Sequence, residues 1–221
     1  MKVLWLRPEG REIPSIDGIE AISLPVIELR CLPYSASELS YFEAVAFTSV
    51  NAVRCFRDRS LLQGKRIYAV GPATAKELGM DSVRVPSEYT TLAMVRTAVS
   101  DGVRSLIAFR SSTASDSLVR ELAGKVNYVE VKNYTVVVLS EGVEAAKRVL
   151  ASGEVDAVVL TSSTIASLVA DSIPNGTAVI SIGPETSKVL TSRGLTFLEA
   201  KEHDVQGLRR VLEEMRKWRT G

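Results

Sequence analysis

Histidine is almost missing from this chain: of 221 residues only His203 is one, lying between Glu202 and Asp204 in a polar stretch that reads as solvated loop. It has no partner at metal-ligand spacing, so metal-assisted hydrolysis and nucleophilic catalysis by a histidine base lack their parts. Cysteine is nearly as scarce. Cys31 and Cys55 show neither a disulfide framework nor a metal spacing, and read as two packed thiols in a reducing cytosol. No apolar run nears the roughly 20 residues that span a bilayer, and Met1 to Leu6 is too short for a signal peptide. The expectation is a cytoplasmic protein with no membrane contact. Net charge is only +1, with acids and bases interspersed, so no nucleic acid is advertised and any attraction for an anion is local. No Gly-x-Gly-x-x-Gly follows a strand and no Walker sequence occurs, which removes the usual cradles for dinucleotides and triphosphates.

What the chain does have is a repeated phrase. Ala46-Phe47-Thr48-Ser49 is followed by Val70-Gly71-Pro72-Ala73-Thr74, and Val159-Leu160-Thr161-Ser162-Ser163 by Ile182-Gly183-Pro184-Glu185-Thr186. The paired motifs lie 113 and 112 residues apart. An apolar run that empties into Thr-Ser or Gly-Pro before a helical pattern is a strand-to-helix turn. Ser49 and Ser162 stand as N-caps, and Pro72 and Pro184 suit the first helical position. Capping alone would not require the same two turns in both halves. At the carboxyl ends of parallel strands, where ligands bind, such turns present amides and hydroxyls to an acidic group.

Short apolar runs alternate with helical patterns almost throughout, the signature of an α/β protein. Strands are expected at Lys2 to Leu6, Ala44 to Phe47, Arg66 to Val70, Ser82 to Val85, Ser105 to Phe109, Asp156 to Leu160, Ala178 to Ile182 and Thr196 to Glu199. Helices are expected between them, including one over Ser115 to Leu122, and Gly79 and Gly194 mark corresponding helix ends. Ile22 to Leu32 and Val129 to Leu139 are β-rich and long, reaching roughly 36 Å each, about twice a usual strand. Segments of that length pass from one sheet into another. The favoured organisation is therefore interleaved: residues 1–24 with 140–221 in one α/β domain, 33–132 in the other, and 25–32 with 133–139 as hinge strands. Two tandem halves joined near Ser140 are the alternative. At 46% hydrophobic the chain is able to bury two cores of roughly 100 residues each.

Arg7 and Arg110 each follow an apolar strand, where a guanidinium is able to fork onto a ligand carboxylate; an exposed surface arginine is the plainer reading. Tyr134 stands within the second long strand. Packing is the ordinary role of such a tyrosine, but at a hinge its phenol is placed to donate a proton.

Taken in order, Phe47-Thr48-Ser49-Val50-Asn51-Ala52-Val53, Val70-Gly71-Pro72-Ala73-Thr74-Ala75, Tyr89-Thr90-Thr91, the strand carrying Val131-Lys132-Asn133-Tyr134-Thr135-Val136, the second Thr-Ser and Ile182-Gly183-Pro184-Glu185-Thr186 resemble the uroporphyrinogen-III synthase family over nearly the whole chain. The resemblance implies two flavodoxin-like parallel-sheet domains joined by a two-stranded β ladder. It implies closure of linear hydroxymethylbilane to uroporphyrinogen III, with inversion of the terminal pyrrole ring and loss of water, and with no metal or organic cofactor. The substrate carries eight carboxylates, which suits turns lined with amides, hydroxyls and a few arginines. Tyr134 matches the family's proton donor to the leaving hydroxyl. Arg7, Thr48, Ser49, Gly71, Thr74, Thr90, Arg110, Thr161, Ser162, Ser163, Gly183 and Thr186 are the candidate substrate contacts.

The chain departs from the family pattern in three places. About seventeen residues separate Arg7 from Pro25, too few for the usual first helix, so a loop or short turn is expected. Leu92 replaces an acidic residue, and Ser111 a glycine. With no sustained heptad, a monomer is expected. A different class of protein remains open: a two-domain binding or sensory module for an anionic metabolite that performs no chemistry.

Overall fold

The computed structural model describes residues 1–114 and 126–220, so the helix expected over Ser115 to Leu122 lies outside the described residues. The fold is α/β with a mostly parallel sheet. Along the chain run β1 (Lys2–Pro8), β2 (Glu20–Cys31), β3 (Ala44–Phe47), α1 (Val50–Arg54), β4 (Arg66–Ala69), α2 (Pro72–Leu78), β5 (Val83–Arg84), α3 (Thr91–Ser100), β6 (Ser105–Ser111), β7 (Asn127–Val138), α4 (Ser140–Ala151), β8 (Ala157–Leu160), α5 (Ser163–Val169), β9 (Ala178–Ser181), α6 (Pro184–Ser192), β10 (Leu198–Glu199) and α7 (Val205–Thr220). Between β1 and β2 the chain forms turns and irregular loop, without a helix. None of the described helices is long and apolar enough to cross a membrane.

The chain divides into two compact units, a discontinuous one of Met1–Glu28 with Val137–Gly221 and a continuous one of Leu29–Val136. In the discontinuous unit the strand order is β10-β9-β8-β1-β2; in the continuous unit it is β5-β4-β3-β6-β7. The two long strands, β2 and β7, are those that pass from one unit into the other. The four-residue strands β3 and β8 are buried at every position, as parallel strands covered on both faces must be. Apolar side chains fill both sides of the continuous unit's sheet, Phe47, Ile107 and Phe109 on one and Ala46, Leu106 and Ala108 on the other. Gly79 ends α2 at φ 64°, a left-handed conformation that glycine adopts without strain. Gly142 answers a different need: α4 lies so close to β2 that a Cβ there would stand 2.0 Å from the Pro25 carbonyl oxygen.

The registers reveal a deeper repeat than the motifs do. Along β1 and β2, Trp5 faces Ser23 and Arg7 faces Pro25; the register then slips, so that Pro8 faces Ile27 and Val26 is skipped. Along β6 and β7, Ala108 faces Glu130 and Arg110 faces Lys132; the same slip pairs Ser111 with Tyr134 and skips Asn133. The next amide repeats too, Glu9 donating to the Ile27 carbonyl at 2.7 Å and Ser112 to the Tyr134 carbonyl at 2.8 Å. Position for position, Arg7 corresponds to Arg110, Ser23 to Glu130, Val26 to Asn133 and Ile27 to Tyr134. In the continuous unit this pair of strands closes the chain order; in the discontinuous unit it opens it. The two units are circular permutations of one layout.

Candidate functional site

Every Thr-Ser and Gly-Pro turn lies at the carboxyl end of a parallel strand. In the continuous unit the Thr48 hydroxyl donates to the Phe109 carbonyl at 3.2 Å, and in the discontinuous unit Thr161 donates to the Leu6 carbonyl at 2.9 Å. Each threonine thereby fastens its turn to the neighbouring strand. Ser49 and Ser162 share one extended conformation, φ −166° in both, and accept from the amides of Ala52 and Ile165 at 3.1 and 3.2 Å. Ser163 opens α5 behind the second cap. Gly71 and Gly183 are extended N-caps with Pro72 and Pro184 next in line, and Thr74 and Thr186 are buried in the first turns that follow. Thr90 caps α3, accepting from the Ala93 amide at 3.1 Å.

Capping thus engages the acceptor side of these hydroxyls. What distinguishes the continuous unit is where the Ser49 proton goes: it is donated to the Tyr134 phenol oxygen at 2.9 Å. Tyr134 is only 7% exposed and packs with Phe47, Phe109 and Val53. With its oxygen accepting from Ser49, the phenol keeps its own proton for a second acceptor. Ile27 holds the corresponding place in the discontinuous unit, so this chemistry exists in one unit only. Beside Tyr134, the fully buried Asn133 donates from Nδ2 to the Ala52 carbonyl at 2.8 Å, while its Oδ1 is buried without a partner among the described residues. An orphaned acceptor of this kind costs about 1–3 kcal/mol.

The two arginines occupy equivalent positions and behave differently. Arg7 donates from Nε to the Ser23 hydroxyl at 2.6 Å and from Nη1 to the Pro8 carbonyl at 3.0 Å, both uncharged groups, and among the described residues it has no carboxylate partner. Arg110 reaches the equivalent site and finds Glu130, with the side chains only 8% and 5% exposed. Glu130 also accepts from the Tyr128 phenol at 3.0 Å and from Lys132 at 2.9 Å. Burial, followed by the Glu130 charge, pushes the Tyr128 phenol well above its ordinary pKa. Arg110 therefore meets an internal carboxylate through Nη1, while its buried Nε has no hydrogen-bond partner among the described residues. Its position at the strand end is as read from sequence, but an acidic partner twenty residues ahead gave no spacing signal.

One further expectation changes. Cys31 and Cys55 are not free thiols but a disulfide, closing a sequence separation of 24 between the end of β2 and the C-cap of α1. Their Cα atoms lie 5.2 Å apart, within bonding reach, a proximity no linear spacing announces. Cysteine usage therefore no longer argues for a reducing compartment. Replacing Cys55 by serine is expected to lower unfolding stability by about 3 kcal/mol, read from urea melts of the oxidised protein and the variant. His203 is the exposed loop residue expected, and its ring stands beside Gly183, 3.0 Å from where a Cβ there would lie. Tyr89 sits likewise beside Gly71. Each directly precedes a helix-capping residue, Thr90 or Asp204, a correspondence hidden because neither residue type is kept. Among the described residues no group of three histidine, cysteine, aspartate or glutamate side chains is placed to hold a metal ion.

Residues 15–210 match the sequence profile of the family described as uroporphyrinogen-III synthase HemD. The chain belongs to the uroporphyrinogen-III synthase family. It is 29% identical to a putative uroporphyrinogen-III synthase of Archaeoglobus fulgidus, over 96% of this chain and 98% of that one. A putative uroporphyrinogen-III synthase of Methanocaldococcus jannaschii is 24% identical, over 98% and 99%. Among solved structures, uroporphyrinogen-III synthetase from Helicobacter pylori superposes with a TM-score of 0.61 at 19% identity, covering 97% of this chain and 99% of that one. A mutant uroporphyrinogen III synthase from Thermus thermophilus gives 0.66 at 13%, covering 96% and 99%. These two likenesses speak for the fold. Uroporphyrinogen-III synthase is a hydro-lyase of tetrapyrrole biosynthesis, and hydroxymethylbilane is the substrate that membership of the family implies.

Proposed function

We propose that this chain closes hydroxymethylbilane to uroporphyrinogen III with Tyr134 as the proton donor that releases the terminal hydroxyl as water. The observation that carries this reading is the Ser49–Tyr134 hydrogen bond, which ties a duplicated turn to the one phenol whose counterpart in the other unit is an isoleucine. Loss of water leaves a cationic azafulvene. The substituted position of the last pyrrole attacks it, and the resulting spiro intermediate fragments and recloses with that ring reversed. Orientation is the protein's larger task, because unassisted closure gives the uninverted isomer. Thr48, Ser49, Gly71, Thr74 and Thr90 in one unit, and Thr161, Ser162, Ser163, Gly183 and Thr186 in the other, are the proposed contacts to the substrate's polar groups.

Within this reading the units are flavodoxin-like domains, interleaved in sequence and joined by a β2–β7 ladder. Support comes from the discontinuous unit's strand order, which in its own chain numbering is the flavodoxin-like 2-1-3-4-5. The continuous unit has the same layout permuted to 3-2-1-4-5. The enzyme is proposed to act as a cytoplasmic monomer without a cofactor. A disulfide is compatible with an intracellular setting in organisms such as hyperthermophiles, whose intracellular proteins keep such bonds.

Arg7 is the proposed carboxylate-binding arginine, since its partners leave its charge uncompensated while Glu130 compensates that of Arg110. Arg7→Ala is expected to raise KM on the order of tenfold with kcat little changed, the pattern of a lost binding contact. Steady-state kinetics on fresh hydroxymethylbilane checks this. The function itself is tested by the loss of that substrate with no metal or cofactor added: consumption must rise in proportion to protein, and consumption at the spontaneous rate refutes it.

A further inference from the structure

We infer that Asn133 is a positioning residue for Tyr134, an inference that rests on the phenol's proposed role as proton donor. The bonds around it form a closed circuit within the continuous unit. Tyr134 accepts from Ser49, Ser49 accepts from the Ala52 amide, the Ala52 carbonyl accepts from Asn133 Nδ2, and Asn133 is joined to Tyr134 by the chain. Neither α1 nor β7 is able to shift along the other without opening this ring. The register slip makes the circuit possible: skipping Asn133 turns its side chain toward α1 and brings Tyr134 opposite Ser111. The Asn133 carbonyl also receives the Leu32 amide at 2.9 Å, directly after Cys31, whose disulfide holds the far end of α1. The helix that presents Ser49 is thus held to its surroundings at both ends.

The other unit supplies the control. The same slip there skips Val26, a residue as fully buried as Asn133, and the position after it is Ile27 rather than a tyrosine. Valine fits that backbone and leaves no unsatisfied oxygen. Asparagine in the tyrosine-bearing unit keeps a buried Oδ1 that has no partner among the described residues, a destabilising arrangement that packing does not require. Its Nδ2 bond to α1 is the feature that valine lacks, and that bond fixes the distance between Ser49 and the phenol.

The test is Asn133→Val, alone and combined with Tyr134→Phe, measured as single-turnover rate on hydroxymethylbilane together with KM and thermal midpoint. Expected for the single variant are a folded protein, in which loss of the orphaned Oδ1 offsets part of the cost of leaving the Ala52 carbonyl without its donor, KM within about twofold, and a rate lowered on the order of tenfold, no further than Tyr134→Phe itself lowers it. In the Tyr134→Phe background the same change is expected to have no effect, because no phenolic proton remains to be positioned. Ser49→Gly, which keeps most of the helix cap, opens the circuit at its other link and must likewise lower the rate in the parent but not in the Tyr134→Phe background, whatever its KM, since Ser49 is also a proposed substrate contact. Unchanged turnover in Asn133→Val, or an equal loss in both backgrounds, overturns the inference. Should Tyr134→Phe itself leave the rate untouched, it is the proton-donor reading that falls.

Discussion

Tyr134→Phe is expected to slow the conversion of hydroxymethylbilane by about 10- to 100-fold, below or at the lower end of the usual range for removing a general acid, while leaving substrate binding intact. Two features set the size. The phenol is buried among aromatic side chains and fixed by Ser49, so its proton is delivered from one direction. The substrate is itself reactive, however, and loses its hydroxyl without assistance, so a residual rate survives. Stability should change little, because phenylalanine keeps the ring and removes only a hydroxyl whose partner, Ser49, still caps α1. Single-turnover kinetics with isomer analysis reads the result. Complete loss of activity in a folded, substrate-binding variant would contradict a modest proton-donor role.

The largest effect on stability is expected at Arg110. Arg110→Met leaves Glu130 buried with one cationic partner removed, and such a break costs about 3–5 kcal/mol, a large share of the 5–15 kcal/mol that holds a typical domain. Lys132 stays but is more exposed than either member of the buried pair. Arg110→Met with Glu130→Gln is expected to recover most of the loss, since the neutral amide still accepts from Tyr128 and the charge that loses its carboxylate, Lys132, is partly exposed to water. Thermal and urea melts of the two variants decide it. A single variant as stable as the parent, or a double variant no better than the single, would show that the pair is not what holds this corner.

Much of the layout was legible because parallel sheets write it locally. Apolar runs ending in Thr48-Ser49, Gly71-Pro72, Thr161-Ser162 and Gly183-Pro184 specify strand, turn and cap within a few residues, and these turns form where expected. The missing first helix was legible from loop length alone. Contacts across β6 and β7 were not. Which residue Arg110 meets depends on register, and nothing near residue 110 indicates that Glu130 pairs with it while the corresponding Ser23 gives Arg7 only an uncharged acceptor. The Cys31–Cys55 bond is hidden in the same way, since it depends on where α1 ends relative to β2. Asn133 gave no signal either; an asparagine in a strand reads as an irregularity until the skipped register shows it facing α1.

The central claim, that this chain inverts the last ring of hydroxymethylbilane, is tested most directly by the identity of the product. Freshly made substrate is incubated with the wild-type protein, the products are oxidised, and the porphyrin isomers are separated. The account predicts the type III isomer in an amount that follows protein concentration and exceeds the uninverted isomer. Uninverted isomer alone, formed at the rate seen without protein, would contradict it.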